Sequence, residues 1–339
     1  MVGLVADRAL QGRVREASQL AAETMALIES VGDPTLTVGL TWLPIYAKIH
    51  NGQWCDVLQW SQRVIDLADG DPSKGNFIFG SPLAVAFTTR AMARYALGHP
   101  GWRDDQRQAL AIARGADAQS YARAVTYVYG TGIPNGVLKP DDSTVREIED
   151  ALRIAERSAD DLALSNAWLT LGLALVHRPT AAERDRGQRL LAEVSDVYLR
   201  RGHNLSELRL VNVYLARERA RCGDRDDAIP LMRDAVDHLS REGQLLGWGV
   251  PSTGVLVEAL GDRGANGDVA EAEVAVERLA AAPAEVGLVI RDIWLLRLRV
   301  LLAHARGDVT AYTDFRDRYR DMAKTLGYEG HIAWAEAMP

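Results

Sequence analysis

The feature that most restricts what this chain can become is a helix–glycine–helix unit that recurs along it. In its clearest copy, Leu205 to Glu242, Leu208, Val211, Leu215 and Arg219 stand at helical spacing and the run closes at Cys222-Gly223-Asp224. Ala228, Leu231, Met232, Ala235, Val236 and Leu239 then form a second apolar stripe. Apolar residues at i, i+3, i+4 and i+7 mark amphipathic helices. Gly223 offers the left-handed residue that ends the first helix, and Asp224 is placed to cap the second. Two helices joined by so short a turn cannot bury both apolar faces alone, so each pair needs a copy of itself on either side. Copies are present. Glycine is followed five residues later by a small or apolar residue at Gly12/Ala17, Gly52/Val57, Gly223/Ala228, Gly267/Ala272 and Gly307/Tyr312, while Gly98, Gly136 and Pro179 fall near the remaining turns. Successive turns lie roughly 38 to 46 residues apart, in or near the range of helical-hairpin repeats.

One unit also carries Trp168-Leu169-Thr170-Leu171-Gly172, the W-x-x-L-G pattern that opens a tetratricopeptide helix pair. The expected fold is therefore all-α: a right-handed, tetratricopeptide-like α-solenoid of about seven antiparallel helix pairs. It should form one domain over residues 1–339, with a truncated first repeat over 1–33 and a C-terminal cap over 329–339. In such an array each unit packs only on its neighbours. Loops 70–80 and 243–251 join one pair to the next and are expected on one rim; loop 130–140 lies within a pair and is expected on the other. Pro44 should kink its helix, Ser81-Pro82 should open one, and Asp142-Ser143 should cap the helix that follows. Residues 2–10 look like the end of a cut hairpin, which suggests a piece of a longer polypeptide with more repeats upstream.

Composition narrows the function. The formal net charge is -7, and arginines alternate with acids, as in Arg217, Glu218, Arg219, Arg221 and Asp224. No basic stripe offers itself to nucleic acid. Only Cys55 and Cys222 occur; a disulfide framework is excluded, paired zinc spacing is missing, and two buried thiols are expected. The start of the chain lacks the pattern of a signal peptide. No apolar run approaches the ~20 residues a membrane span requires, since Ile293 to Ala303 is broken by Arg297 and Arg299. A cytoplasmic protein with no membrane partner follows. The seven histidines are scattered without metal-ligand spacing. Gly130 to Gly136 reads G-x-G-x-x-x-G, follows a helix, and precedes no Gly-Lys-Ser/Thr, so it reads as an inter-helix loop and not a phosphate cradle. No catalytic residue, cofactor or metal is expected.

A binding role suits the pattern better. In tetratricopeptide arrays the first helix of each pair lines the concave groove, and counting back from each turn gives the groove residues. These are Trp42, Tyr46, Thr88, Met92, Asn166, Val213, Arg217, Arg221, Trp294, Arg297 and His304. Aromatic and arginine anchors are typical of binding hot spots, and Arg217 and Arg297 are suited to holding a carboxylate with paired donors. A protein or peptide, or a small ligand, is the expected partner, with self-association left open.

Several stretches together resemble a known family. They are Gly75-Asn76-Phe77 with Gly80-Ser81-Pro82-Leu83, Ile133-Pro134-Asn135-Gly136, Asp150-Ala151-Leu152-Arg153-Ile154, Glu242 to Gly249, Val289 to Arg297, and the closing Gly330-His331-Ile332-Ala333-Trp334-Ala335-Glu336-Ala337-Met338-Pro339. The set resembles the C-terminal helical-repeat region of large bacterial signalling proteins. Those carry a class III adenylate/guanylate cyclase domain or a LuxR-type DNA-binding domain, together with an AAA-like NTPase module. The resemblance implies a sensor or protein-interaction arm that regulates the linked module. The alternatives are a nucleotide cyclase in its own right and a structural oligomerisation scaffold.

Overall fold

The computed structural model describes residues 1–77, 80–158 and 160–338; Ile78 and Phe79 of the 70–80 loop, Ala159, and Pro339 of the closing motif lie outside them. Among these residues the regular structure is entirely helical. α1 (Val2–Leu10) pairs with α2 (Val14–Val31). A first helix broken into α3 (Pro34–Leu40) and α4 (Trp42–Asn51) pairs with α5 (Trp54–Ala68). The next pairs are α6 (Pro82–Ala96) with α7 (Trp102–Ala116), and α8 (Ala118–Val125) with α9 (Asp142–Ser158). α10 (Asp161–Val176) then pairs with α11 (Ala181–Arg201), and α12 (Leu205–Arg221) with α13 (Arg225–Arg241). α14 (Gly249–Arg263) pairs with α15 (Asp268–Ala281) and α16 (Val289–Arg306) with α17 (Val309–Leu326), before α18 (Glu329–Glu336) closes the array. The described chain thus holds eight pairs, the short first one included.

Local chemistry sets the boundaries. Every glycine that marks an intra-pair turn, from Gly12 to Gly307, has positive φ. Ser81 accepts from the Ala84 amide ahead of Pro82. The break at Thr41 sits just before Pro44, whose missing N–H leaves the Leu40 carbonyl without its helical donor. Two expected caps differ. Asp141, not Asp142 or Ser143, accepts from the Thr144 amide at 2.8 Å and starts α9. Asp224 stands at the head of α13 without a side-chain capping bond. Cys55 and Cys222 are exposed, a correction to the two buried thiols, because each lies beside the turn of its hairpin and not on the apolar stripe of a helix. In the tetratricopeptide-like unit, Gly172 and Gly187 bring α10 and α11 together so closely that a Cβ on Gly172 would stand 2.9 Å from Leu191.

The expectation that each pair touches only its neighbours is overturned. After five pairs the array comes round and stacks on its own beginning. The Gly12 turn meets Leu205 at the head of α12, the Gly52 turn meets Leu246, the Gly98 turn meets Val289, and Gly136 meets Gly330 and His331. Hydrogen bonds follow the same offset. Ser206 donates to the Ala9 carbonyl over 197 residues, Asn51 to the Gly243 carbonyl over 192, and the His331 ring meets the Asn135 carbonyl over 196. The intra-pair turns of the first coil therefore rest on the inter-pair links of the second.

This seam buries what an open solenoid would leave as loops and groove. The 243–251 link wedges Gly247 and Trp248 against His50. Within 130–140 the chain extends α8 through a π-helical turn, Thr126–Gly130, and then turns under α18. α18 is consequently more than a lid on the last repeat: it docks on the first coil through Glu329 and His331 amides bonded to Val137 and Gly136 carbonyls. First helices of pairs become buried nearly all round, with thirteen of fifteen residues buried in α6, whereas outer α17 buries only two of eighteen.

The seam has a direct test. Gly202→Ala meets only left-handed backbone strain, because nothing stands within 4 Å of the new Cβ, and should cost about 1 kcal/mol. Gly52→Ala carries the same strain, and its Cβ would also stand 2.6 Å from Leu246. It should cost about 1–3 kcal/mol more. Urea denaturation of both variants measures the difference; equal costs would mean that the coils do not bear on each other there.

Candidate functional site

Where the second coil re-enters over the first, the inner helices leave a chamber of about 250 Å³. α1 contributes Ala6 and Leu10, and α4 contributes Trp42, Leu43 and Tyr46. Arg123 and Tyr127 come from α8 and its π turn, Leu162 and Asn166 from α10. His203, Asn204 and Glu207 come from the α11–α12 link and the first turn of α12. Residues from five pairs therefore share one wall, which only the closure of the coil allows. Asn204 turns the chain into α12 with φ of 55°, a backbone that asparagine tolerates better than most residues.

The aromatic side is ordered by ring packing. Trp42 and Tyr127 meet edge to face at 5.0 Å, and Trp42 lies 5.7 Å from Tyr46. The Arg123 guanidinium sits 5.9 Å from the Trp42 ring, and burial lowers its affinity for its proton. Opposite, the Tyr46 hydroxyl donates to Glu207 Oε1 at 2.7 Å, and His50 Nε2 lies 3.4 Å from the same oxygen. Burial, and then the Glu207 charge, pushes the Tyr46 hydroxyl well above its ordinary range. Tyr46 accordingly stays a donor. Burial likewise raises the Tyr127 hydroxyl. Glu207 is only 7% exposed, yet its second oxygen, Oε2, has no hydrogen-bond partner, and neither has His203 Nδ1. Buried polar atoms nearly always find a partner. Glu207 and His203 both line the chamber, so the carboxylate with one unmatched oxygen marks the polar end of it.

Of the groove residues expected from sequence, the chamber gathers Trp42, Tyr46 and Asn166. The others are held by the chain itself. Thr88 is buried and donates to the Ala84 carbonyl within its own helix. Met92 and Val213 are core. Arg217 and Arg221 both donate to the Val176 carbonyl, at 2.6 and 3.3 Å, and so close the end of α10. Arg297 pairs with Glu258 and stacks over Trp334 at 4.5 Å. Trp294 donates to the Asn135 carbonyl at 3.3 Å. His304 is exposed and packs beside Tyr312. These side chains form no common groove, because the second coil occupies the space an open array would leave.

Sequence reasoning missed Arg123, Tyr127, His203 and Glu207. Glu207, three residues into an amphipathic helix, looks like an ordinary first-turn acid; only the offset between coils brings it to Tyr46. Among the described residues, no group of three or more His, Cys, Asp or Glu side chains is placed to hold a metal ion. No helix among them is long and apolar enough to cross a membrane. The chain matches no family model and no curated protein.

A second buried histidine sits at the far end of the seam. His331 is wholly buried, with Nδ1 2.8 Å from the Tyr319 hydroxyl and Nε2 3.0 Å from the Asn135 carbonyl. Those partners suit the neutral ring with its proton on Nε2. Burial and then the Arg297 charge hold its pKa well below the ordinary value, against the opposing pull of the Asn135 carbonyl.

Two predictions follow from these geometries. Tyr46→Phe removes the hydroxyl that donates to the buried Glu207 carboxylate and should cost about 1–3 kcal/mol by denaturant unfolding at pH 7. As pH falls below about 6.5, the unfolded chain protonates His331 and the folded chain does not. Stability should then drop by about 1.4 kcal/mol per pH unit for this residue. Thermal unfolding between pH 7.5 and 5.5 should show a shallower slope in His331→Gln than in the parent.

Proposed function

We propose that this chain is a non-catalytic binding arm that takes a small ligand in its inner chamber and passes the event to a linked signalling module. The observation that carries the reading is the chamber's composition: a partly apolar hole with a few convergent polar groups, one of them a buried carboxylate oxygen without a partner. Such holes are the usual form of a ligand site. The regulatory half of the proposal rests on the resemblance to repeat arms of cyclase-, LuxR- and NTPase-containing regulators.

The chamber also supplies a route for the signal. Tyr46 belongs to the first coil and Glu207 to the second, so an occupant touching both favours the closed stacking over any looser one. A ligand shifts such a balance only by its difference in affinity for the two states. In a protein that joins such an arm to a signalling module, closure of the arm would be what the module reads.

The test is a thermal-shift screen of small polar-aromatic compounds on the whole chain, with Leu43→Trp as counter-screen. Leu43 lines the chamber and is partly exposed, so a larger ring there fills the hole. A true occupant should raise Tm by a few degrees in the parent and by none in Leu43→Trp, and should slow amide exchange in α1 and α12. Hits that stabilise both proteins equally would remove the chamber from the account. Release of cyclic nucleotide from ATP or GTP with a divalent metal would replace the binding reading with an enzyme.

A further inference from the structure

The chamber's walls specify the chemistry of the occupant. Its volume of about 250 Å³ is less than twice the ~150 Å³ of a protein cavity that takes up benzene. One ring and a short tether fill it. Leu10, Leu43 and Leu162 give that ring an apolar bed, and the edge-to-face pair of Trp42 and Tyr127 gives it an aromatic wall. At the other end, Glu207 Oε1 already accepts from Tyr46, while Oε2 has no donor. An ionised carboxylate only accepts, so this end asks for N–H or O–H, and most strongly for a cation. The open His203 Nδ1 lies on the same wall and in the appropriate tautomer accepts a further N–H.

We infer that the chamber binds a small primary ammonium compound with an aromatic body, the ammonium donating to the Glu207 carboxylate and the ring lying among Leu10, Leu43, Trp42 and Tyr127. This inference rests on the proposed binding function and narrows it. A flat ring with a two-carbon tether carries its cation to the carboxylate while the ring stays in the apolar half.

Four probes, titrated into the whole chain by calorimetry, decide the matter: phenethylamine, L-phenylalanine, 3-phenylpropionate and neutral indole. Phenethylamine should bind, 3-phenylpropionate should bind at least tenfold more weakly, and Leu43→Trp should lose both phenethylamine and indole. Glu207→Gln keeps the side-chain shape and an acceptor for Tyr46 but removes the charge. It should weaken phenethylamine about ten- to a hundredfold and change indole by less than about threefold. L-Phenylalanine should bind more weakly than phenethylamine, because its carboxylate adds a like charge beside Glu207; tighter binding would count against Glu207 as the anchor.

Phenylpropionate binding as tightly as the amine overturns the inference, as does a Glu207→Gln variant with unchanged amine affinity. The comparison of amine with acid uses the parent protein alone, so it decides even where Glu207→Gln does not fold. Indole binding that Leu43→Trp abolishes, without amine binding, keeps the chamber as a ligand site and rejects only the ammonium. Failure of all four probes, indole included, rejects the ligand class and the chamber with it.

Discussion

Everything distinctive in this molecule depends on the contact between its two coils. An ordinary helical-repeat array is held by nearest-neighbour packing, and its ends do not know of each other. Here the backbones approach until a single Cβ would collide: a methyl on Gly136 would stand 2.5 Å from Trp334, and one on Gly247 would stand 2.6 Å from the His50 carbonyl. Such approaches demand register. Each intra-pair turn of the first coil must meet the matching link of the second about 190 residues later, although helix and loop lengths vary from pair to pair. The variation must therefore cancel over five pairs. The long 70–80 loop and the broken α3–α4 helix belong to that sum and are not decoration.

Closure also explains the helices themselves. An inner helix in an open groove needs one polar face for water. α10 runs from Asp161 to Val176 with scarcely a polar residue after Asn166, and a helix apolar on all sides belongs in an interior. The cost is that inner polar groups lose water. Glu207, His50, Arg123 and Arg297 are all nearly buried, and burying a charge is costly unless it is paired and hydrogen-bonded. Most are matched within the fold, as Arg297 is by Glu258. Glu207 is matched on one oxygen only, which is why the chamber beside it reads as a site and not as a packing fault.

Much of the architecture was legible in the residues. The glycine marks located the intra-pair turns, Ser81-Pro82 opened a helix, and W-x-x-L-G fell on an inner helix whose glycine lets its partner come close. These are local rules, and local rules reach one turn along the chain. What they could not show is how far the coil rotates per pair, a sum of small angles set by side-chain volumes at each helix contact. Without that sum, Leu246 has no visible reason to sit on Gly52, nor Glu207 on Tyr46. The groove inference therefore kept Trp42, Tyr46 and Asn166, which face inward at the point of closure. It went astray at Arg217 and Arg297, whose donors looked free and are spent on Val176 and Glu258.

The position of the chamber matters as much as its chemistry. Had it formed between two adjacent pairs, an occupant would stiffen one hairpin and the rest of the array would not register it. It lies instead where α12 arrives over α1 and α4, so the Tyr46–Glu207 bond is both a strut between coils and part of the chamber wall. On the proposed reading, whatever binds the Glu207 carboxylate pulls on that strut. Any partner or modification that parts the coils must weaken binding by the same factor by which binding resists parting, since coupling free energy is reciprocal. On the same reading, the close contacts at Gly52, Gly98 and Gly136 are the path by which such a change would reach α18.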